Sequence, residues 1–470
     1  MSTVPQISQT IEWIVQEYPR QMERKTGFVQ RSTARLDGPT FVQSLVFGWM
    51  ARPQASYTHL RHVAGTLGAS VSKQAVEQRF SQSSVELLKA VLQEAGKQVI
   101  CSDGQVAPLL SRFHGVYLQD GSIVSLPEEL TERYGGCGGS TEHSAPSSLR
   151  LQVRWEMGRG GLQGPWLQAG REAERSGEAI ETPMPAGSLL VSDIGYFTLQ
   201  DMRKRGVDHF WITGAKSQLC LYDSHGVKYR LETFLKLHQQ ETQIDCWVQV
   251  GAQERLPVRL IAVRVSNEQA QKRRERARVR TCKPAHRKGA QRCGPRRKGK
   301  GGRRVAKEHR KQKRASASKL RLADWTILLS NVPAERLSVN EVLVLMRMRW
   351  QEELLWKLWK QYGQVDTWRS EKAVRIETEI YAKLIGLLIE HWMLLLGCWH
   401  DPRRSIFKAQ QMSQWAAPAL CFALAGAMTL QGVIARILAG MSQGCRVEPR
   451  ETRPNTAQLL ENPKLIRGFG

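Results

Sequence analysis

Two stretches of sequence decide the fold, GVYLQDGSIVSLP (115–127) and SLLVSD (188–193). Both are largely apolar, and each carries an aspartate, Asp120 in the first and Asp193 at the end of the second. Short apolar runs bounded by turn residues predict strands that other elements cover. In the first stretch, Asp120-Gly121 predicts a tight turn between two short strands.

Further strands follow along the middle of the chain. Apolar residues 149, 151, 153, 155 and 157 alternate with polar residues, which predicts a strand with one covered face. A short helix is expected after Asp193, and three more strands are predicted in HFWITG (209–214), LPVRLIAVRV (256–265) and DWTILLSNVP (324–333). From residue 338 to 400 the apolar spacing is helical. Strands followed by late helices indicate an α/β core that holds an insertion.

Residues 1–105 are predicted to be helical, with helices near 9–18, 38–49 and 85–97. Within this region LRHVAGTLGASVSKQAVEQRF (60–80) is similar to a helix-turn-helix, in which Gly68 permits the turn and Ser72 caps the second helix. The second helix would then present four side chains that can contact DNA, Lys73, Gln74, Gln78 and Arg79. Packing of a plain helical hairpin explains the same pattern equally well.

The chain is strongly basic and unevenly so. Lys and Arg number 69 against 43 Asp and Glu, a net charge of +26, which indicates a polyanionic partner and most simply nucleic acid. Residues 272–321 hold 23 Lys or Arg against Glu275 and Glu308, so this stretch carries 23 − 2 = +21 of that charge. Its composition is typical of an exposed mobile arm. We expect it to contact the DNA backbone through counterion release, with a solvated linker as the alternative.

The nine cysteines are scattered without a Cys-x-x-Cys pair, so neither a disulfide framework nor a structural zinc site is expected, and a reducing cytoplasm fits. The first residues show no secretory signal. Residues 415–435 are uncharged, but their Ala, Gly and Pro content favours a buried helix or helix pair over a membrane span.

Three carboxylates, Asp120, Asp193 and Glu353, stand where ligands of a two-metal site are expected. Mg²⁺ prefers oxygen ligands and takes one or two carboxylates per ion together with water and substrate phosphate. On a helical wheel with Arg349 at zero, Glu353 falls at about 40°, Lys357 at about 80° and Lys360 at about 20°. Glu352 falls at about −60° and is the weaker candidate. A salt-bridge ladder would produce the same spacing.

At this point the residues carry a family resemblance. Residues 349–360 follow the pattern Arg-Trp-x-x-Glu-x-x-x-Lys-x-x-Lys, which resembles the Tyr-Arg-Glu-Lys signature of DDE transposases of the bacterial cut-and-paste insertion-sequence group, insertion-sequence family four. Asp120-Gly121-Ser122 resembles the first acidic motif of that family, and the segment 193–197 resembles the second. The gaps of 193 − 120 = 73 and 353 − 193 = 160 residues fit its interrupted core.

The resemblance implies an α/β fold with an RNase H-like catalytic core interrupted by a β-rich insertion, between helical N-terminal and C-terminal regions. The domains expected are a helical DNA-binding region, the first part of the core, the insertion with its basic loop 272–321, the last part of the core with the catalytic Glu, and a C-terminal helical region: 1–105, 106–215, 216–337, 338–400 and 401–470.

The resemblance also implies the roles of individual residues. Asp120, Asp193 and Glu353 would bind two Mg²⁺ ions, with Mn²⁺ as a substitute, while Arg349, Lys357 and Lys360 grip DNA phosphates. Trp325 would stack on a flipped base, and a strand tryptophan packed in a core is its alternative. The signature Tyr is replaced by Met346, and Ile194 stands where the family commonly has Arg.

The function implied is a DNA transposase that cleaves terminal inverted repeats and joins the ends to target DNA. Double-stranded DNA is the expected partner, with a homodimer in the synaptic complex and no membrane. The location expected is the bacterial cytoplasm, at the nucleoid. Two alternatives stay open: a non-catalytic nucleic-acid-binding protein derived from a decayed transposase, and an RNase H-like nuclease without strand transfer.

Overall fold

The structure is a computed structural model that describes residues 3–31, 35–104, 107–136, 146–173, 177–196, 198–282, 317–401, 403–447 and 454–466. Its contacts divide the chain into two compact units. The first comprises residues 1–138, 145–214 and 330–467, and the second comprises residues 215–329. Segment 216–337, predicted as an insertion, shares most of its residues with the second unit.

The first unit begins with helices, as the sequence predicts. A π-helical turn at Trp13–Glu17 follows the first of them, and the helices are α1 Val4–Glu12, α2 Tyr18–Lys25, α3 Gly38–Ala51, α4 Tyr57–Thr66, α5 Lys73–Gln78 and α6 Gln82–Lys97. Polar caps set their starts: the Asp37 carboxylate accepts from Thr40 N at α3, and the Ser72 hydroxyl accepts from Ala75 N at α5. Gly68 adopts φ +90° between α4 and α5, so the predicted turn and cap are confirmed.

Five neighbouring strands form the centre of the first unit. These strands are β1 Val116–Leu126, β2 Ser147–Glu156, β3 Leu162–Ala169, β4 Leu189–Ser192 and β5 Phe210–Gly214. In the sequence, the short helix α7 Glu178–Glu181 precedes β4, and α8 Leu199–Arg205 follows it. The strand order is β3-β2-β1-β4-β5. The first three strands pair antiparallel, whereas β4 runs parallel to β1 and β5 parallel to β4. This is the strand arrangement of an RNase H-like core.

The predicted tight turn at Asp120-Gly121 is wrong. β1 runs unbroken through both residues and pairs with β2 over its length, from Tyr117 opposite Glu156 to Leu126 opposite Ser147. At Gly121 the strands approach closely, since a Cβ there would lie 3.3 Å from Leu151 O. The glycine therefore serves close strand pairing and not a turn.

The prediction that β2 has one covered face is also wrong, because both of its faces are buried. Gln152 and Arg154 are each 0% exposed, and both donate hydrogen bonds to partners inside the protein. Gln152 Nε2 donates to Gln168 Oε1 at 2.6 Å, and Arg154 Nη1 donates to Thr182 O at 2.7 Å. Since internal partners replace water, alternation of polar and apolar residues does not expose the polar face here.

The second unit is rich in strands, as expected for the insertion. Its elements are β6 Cys220–Tyr222, β7 Lys228–Arg230, α9 Leu231–Leu237, β8 Gln243–Val250, β9 Leu256–Arg264, α10 Asn267–Cys282, α11 Ala317–Leu322 and β10 Trp325–Ser330. Strands follow the order β10-β9-β8-β6-β7, and β8 pairs antiparallel with β9. Of the basic stretch 272–321, residues 283–316 lie outside the described residues.

The first unit ends in helices. They are α12 Val339–Met348, α13 Trp350–Lys357, α14 Ala373–Leu394, α15 Ile406–Leu424, α16 Leu430–Gly444 and α17 Thr456–Glu461, with π-helical turns at Leu358–Tyr362 and Leu395–Trp399. α14 is buried along nearly its whole length and packs against α3, α6 and α15. The uncharged stretch 415–435 belongs to α15 and α16, so it is a helix pair.

One helix among the described residues, Ala373–Trp399, is long and apolar enough to cross a membrane by length and composition. Within this structure 94% of its apolar window is buried. Charged residues on it are paired: Glu379 accepts from Arg375 at 3.3 Å and lies 2.8 Å from Lys383 Nζ. The Arg375 guanidinium also lies over the rings of Trp49, Tyr57 and Phe80. These contacts tie α14 to the N-terminal helices and mark it as a core helix.

We predict that Glu390 on α14 makes stability depend on pH. Burial raises the pKa of Glu390 from 4.5 to about 8, although Gln410 Nε2 donates to it at 2.8 Å. The folded state thus keeps a proton that the unfolded chain loses, so stability falls as pH rises from about 4.5 to about 8. Denaturant unfolding at pH 5.5 and 8.5 should show a smaller loss in Glu390→Gln than in the wild type.

The matched control is Glu371→Gln, at an exposed position. Between the two pH values this variant should lose as much stability as the wild type loses. The neighbouring His391 affects the pH dependence of stability at lower pH, because burial lowers its pKa to about 4. An equal loss in Glu390→Gln and the wild type would contradict the assignment of this pH dependence to Glu390.

Candidate active site

Asp120 and Asp193 lie at matching positions on neighbouring parallel strands. The pairing of β1 with β4 ends at Gln119 opposite Ser192, and the two aspartates are the next residues on each strand. Neighbouring strands lie about 4.8 Å apart, so the backbones of the two aspartates are adjacent. Thr213 Oγ1 on β5 donates to Asp193 O at 3.4 Å and holds the start of the following turn. Both aspartate residues are partly exposed.

Helix α13 packs against β1 and reaches Asp120 directly. Trp356 Nε1 donates to Asp120 Oδ2 at 3.2 Å. Lys360, four residues later, donates from Nζ to Ile123 O on β1 at 2.9 Å. Burial lowers the pKa of Lys360. Residues at this spacing share one side of the helix, so that side is the one facing β1.

Glu352 lies on the same side of α13, four residues before Trp356. Its side chain is 1% exposed, and neither carboxylate oxygen has a hydrogen-bond partner in the described chain. Arg349 Nη1 lies 3.9 Å from Oε2. Burial raises the pKa of Glu352 well above its ordinary value, the charge of Asp120 raises it further, and that of Asp193 adds to this, whereas Arg349 lowers it. The charges of both aspartates therefore contribute to the raised pKa of Glu352.

Glu353 faces a different direction. Its side chain is 45% exposed, and its Oε1 lies 3.9 Å from Arg349 Nη2. Lys357, one turn later, is exposed and its Nζ lies 5.8 Å from the centre of the Phe407 ring. Glu353 and Lys357 are therefore exposed, Arg349 is 21% exposed and lies 3.9 Å from each of the two glutamates, and Lys360 turns to β1. The π-helical turn at Leu358–Tyr362 holds more residues per turn, which shifts the phase that a regular wheel assumes.

The acidic side chains have the ligand chemistry that a divalent ion requires. Carboxylate oxygens are the hard ligands that Mg²⁺ prefers, and Glu352 brings two buried oxygens that lack protein hydrogen bonds. No group of three or more His, Cys, Asp or Glu in the described parts of the chain is already arranged as a metal cluster.

Trp325, the predicted base-stacking residue, begins β10 in the second unit. It is 7% exposed, and the Arg264 guanidinium covers its ring at 4.6 Å from the ring centre. Trp325 O accepts from Arg273 Nη1 at 3.0 Å. These contacts match the packing alternative, and stacking on a base would require Arg264 to leave the ring.

The predicted DNA-contact residues of the helix-turn-helix divide into two groups. Lys73, Gln74 and Gln78 are exposed on α5. Arg79 instead donates from Nη2 to Leu36 O at 2.9 Å and lies 3.8 Å from the centre of the Phe28 ring. Burial lowers the pKa of Arg79. The structure therefore separates Arg79 from the exposed polar side of the helix.

Sequence reasoning missed Trp356, and it did not show that Glu352 is buried whereas Glu353 is exposed. The spacing of four residues from Glu352 to Trp356 and from Trp356 to Lys360 was present in the sequence. Nothing in it showed which side of α13 faces β1, however, because neither side is wholly apolar.

An RNase H-like sheet with aspartates at matching positions on β1 and β4, and a glutamate-bearing helix packed on β1, defines the class of enzymes that cut and join nucleic acid strands. Residues 178–389 match the sequence profile of the family described as transposase DDE domain. This match and the transposase relatives described next support a DDE transposase of the kind that bacterial insertion sequences encode. Enzymes of this family use divalent metal ions.

Several relatives are similar over most of their length. The transposase for insertion sequence element IS231B of Bacillus thuringiensis subsp. berliner is 23% identical over 395 residues, 78% of this chain and 75% of the relative. That for IS231F of subsp. israelensis is 24% identical, covering 82% and 79%. That for IS1151 of Clostridium perfringens is 24% identical, covering 67% and 65%. A cryo-EM structure of the piggyBac transposase synaptic complex with hairpin DNA aligns at TM-score 0.43 and 7% identity, covering 95% and 86%.

We predict that Trp356→Phe lowers metal-dependent DNA cleavage about ten- to a hundredfold, the usual cost of removing a residue that orients a metal ligand. Phenylalanine keeps most of the packing but cannot donate to Asp120. The measurement is the rate of DNA nicking across a range of Mg²⁺ concentrations. Trp415→Phe, at a residue 83% exposed on α15, is the matched control. Equal rates in the two variants would show that the hydrogen bond is dispensable.

Proposed function

We propose that this transposase cleaves DNA at the terminal inverted repeats of its element and joins the ends to target DNA by two-metal phosphoryl transfer. Asp120 and Asp193 would hold the ions together with a glutamate of α13, which the family signature places at Glu353. The adjacent positions of the aspartates on β1 and β4 carry the proposal. Bound Mg²⁺ ions, two in number and with Mn²⁺ as a substitute, would supply Lewis-acid stabilisation of the attacking and leaving oxygens.

The chain itself would supply position and charge. Trp356 fixes the Asp120 carboxylate through its indole N–H, and Thr213 fixes the backbone of Asp193. Lys357, which is exposed on α13, and Arg349, which precedes α13, would bind phosphates of a DNA end. Lys360 would join them on releasing Ile123 O. No covalent protein–DNA intermediate is part of the proposal, because water and then a DNA 3′-hydroxyl attack the phosphate.

DNA binding away from the acids would use several parts of the chain. Lys73 and Gln74 on α5 are exposed and carry the donor groups that contact phosphates and base edges. Arg79 would need to leave its contacts with Leu36 and Phe28 to take part. Trp325 would stack on a base extruded at the element end after Arg264 moves from its ring.

The proposal includes a homodimer in the synaptic complex and action in the bacterial cytoplasm at the nucleoid. Membership of insertion-sequence family four also remains a prediction from the signature. The alternatives, a non-catalytic DNA-binding relic and an RNase H-like nuclease without strand transfer, are not favoured by the named transposase relatives. A nuclease alone would release cut DNA without joined product.

We predict that Asp120→Asn and Asp193→Asn abolish Mg²⁺-dependent nicking of DNA that carries the element's terminal repeats. Each change removes a negative oxygen ligand with little change of volume, so DNA binding in a gel-shift assay should persist. Glu371→Gln, which changes an exposed acid, is the control. Nicking by both aspartate variants at the wild-type rate would reject catalysis at this site.

The basic stretch gives a separate prediction about salt. Each phosphate contact that is lost reduces the slope of log affinity against log salt by about 0.9. Changing Arg296, Arg297, Lys298 and Lys300 to alanine should therefore weaken binding to specific and unrelated duplexes alike and flatten the salt dependence. Fluorescence anisotropy from low to high salt measures both. An unchanged slope would favour the solvated-linker alternative.

A further inference from the structure

We propose that one face of the sheet in the second unit binds an unpaired DNA strand. This open sheet face consists of Trp247 and Gln249 on β8, Lys228 and Arg230 on β7, and Arg255 just before β9. The inference goes beyond the proposed function, because it concerns binding of a DNA strand by the second unit and not phosphoryl transfer.

Strand pairing places these side chains on one face. Gln249 on β8 lies opposite Tyr222 on β6, and Tyr222 lies opposite Lys228 on β7. Opposite residues of paired strands point to the same face, and so do residues two apart along a strand. Trp247 therefore shares the face of Gln249, and Arg230 shares the face of Lys228.

The other face of the sheet belongs to the core of the second unit. Leu221 and Val250 lie opposite each other on that face, and both are 0% exposed. Tyr229 also points there, and its ring lies 5.9 Å from the ring of Phe234 on α9. Helix α9 thus packs on this side of β6 and β7, whereas the side that carries Trp247 remains exposed to solvent.

Trp247 presents a large apolar ring to solvent beside a neutralised acid. Its residue surface is 50% exposed. Arg259, opposite Trp247 on β9, donates from Nε and Nη2 to the two carboxylate oxygens of Asp245 at 2.7 and 2.8 Å. This bidentate pair cancels the negative charge two residues from the indole. Trp325, by contrast, has its ring covered by the Arg264 guanidinium.

Three exposed cations lie near the indole. Lys228 and Arg230 are exposed on β7, which is two strands from β8 in the sheet and so about 10 Å away. The Arg255 guanidinium lies over the Tyr222 ring, 3.2 Å from the ring centre, and is also exposed. The open sheet face therefore combines a free aromatic ring with positive charge on one side of it.

An unpaired DNA strand is the partner that this combination fits. Its phosphates bind cations whatever the sequence, and the flat face of an unpaired base stacks on an exposed aromatic ring. In a duplex the base faces are hidden in the stack, so a duplex would use the cations and leave the indole without a role. The exposed indole is what favours the unpaired strand.

The first test measures binding of the full-length protein to a labelled thymidine strand of about 20 nucleotides. EDTA is present, so no metal-dependent step takes place. We expect Trp247→Ala to weaken this affinity at least about fivefold, because stacking on a base is lost, and Trp247→Phe to stay within about threefold of the wild type. The matched control is Trp415→Ala, at a tryptophan 83% exposed in the first unit, and it should bind like the wild type.

The cations are tested by the salt dependence of the same binding. Lys228→Ala should reduce the slope of log affinity against log salt by about 0.7, the value for one phosphate contact with a single strand. Lys236→Ala, at an exposed lysine on α9, is the control and should leave the slope unchanged.

Photocrosslinking of the wild type decides the case if other basic parts of the chain mask the loss of affinity. The strand carries 5-iodouracil, and mass spectrometry identifies the peptide that is linked after irradiation. We expect a link at Trp247. The absence of a link there would overturn the inference. An equal loss of affinity for the single strand and for a duplex in Trp247→Ala would also overturn it.

Discussion

The parallel pairing of β1 with β4 is the constraint on which the rest of the site depends. It brings together two aspartates that are 73 residues apart in sequence, because Asp120 and Asp193 each follow the last residue that pairs β1 with β4. Neighbouring strands lie about 4.8 Å apart, so the backbones of the two aspartates are adjacent. The proposed metal site depends on this adjacency and on the packing of α13 against β1.

Buried carboxyl groups elsewhere in the first unit have partners within the protein. On α14, Glu379 lies between Arg375 and Lys383, and the Arg375 guanidinium rests on three aromatic rings, so these charges are paired within the protein. Glu390 keeps a proton and a hydrogen bond from Gln410. Glu352 differs from both, because neither of its carboxylate oxygens accepts a hydrogen bond among the described residues and Arg349 Nη1 lies 3.9 Å from its Oε2.

Much of the architecture followed from sequence patterns, and the failures have local causes. The strands at 188–193, 209–214, 256–265 and 324–333, the helical N-terminal region and the Ser72 cap were predictable from periodicity and turn residues. The turn at Asp120-Gly121 was not found because glycine there lets two strands approach closely. The buried polar face of β2 was not predictable either, since Arg154 and Gln152 find partners on segments distant in sequence.

The sequence by itself determined the residue types, the order of the acidic motifs and the family, because these are properties of the letters and their spacing. The family resemblance singled out Asp120 and Asp193, whereas their adjacency came from the pairing of β1 with β4. Which glutamate of α13 faces those acids was decided only in the tertiary structure. Neighbouring helical residues point about 100° apart, so only the packing of Trp356 and Lys360 on β1 selects the side that Glu352 occupies.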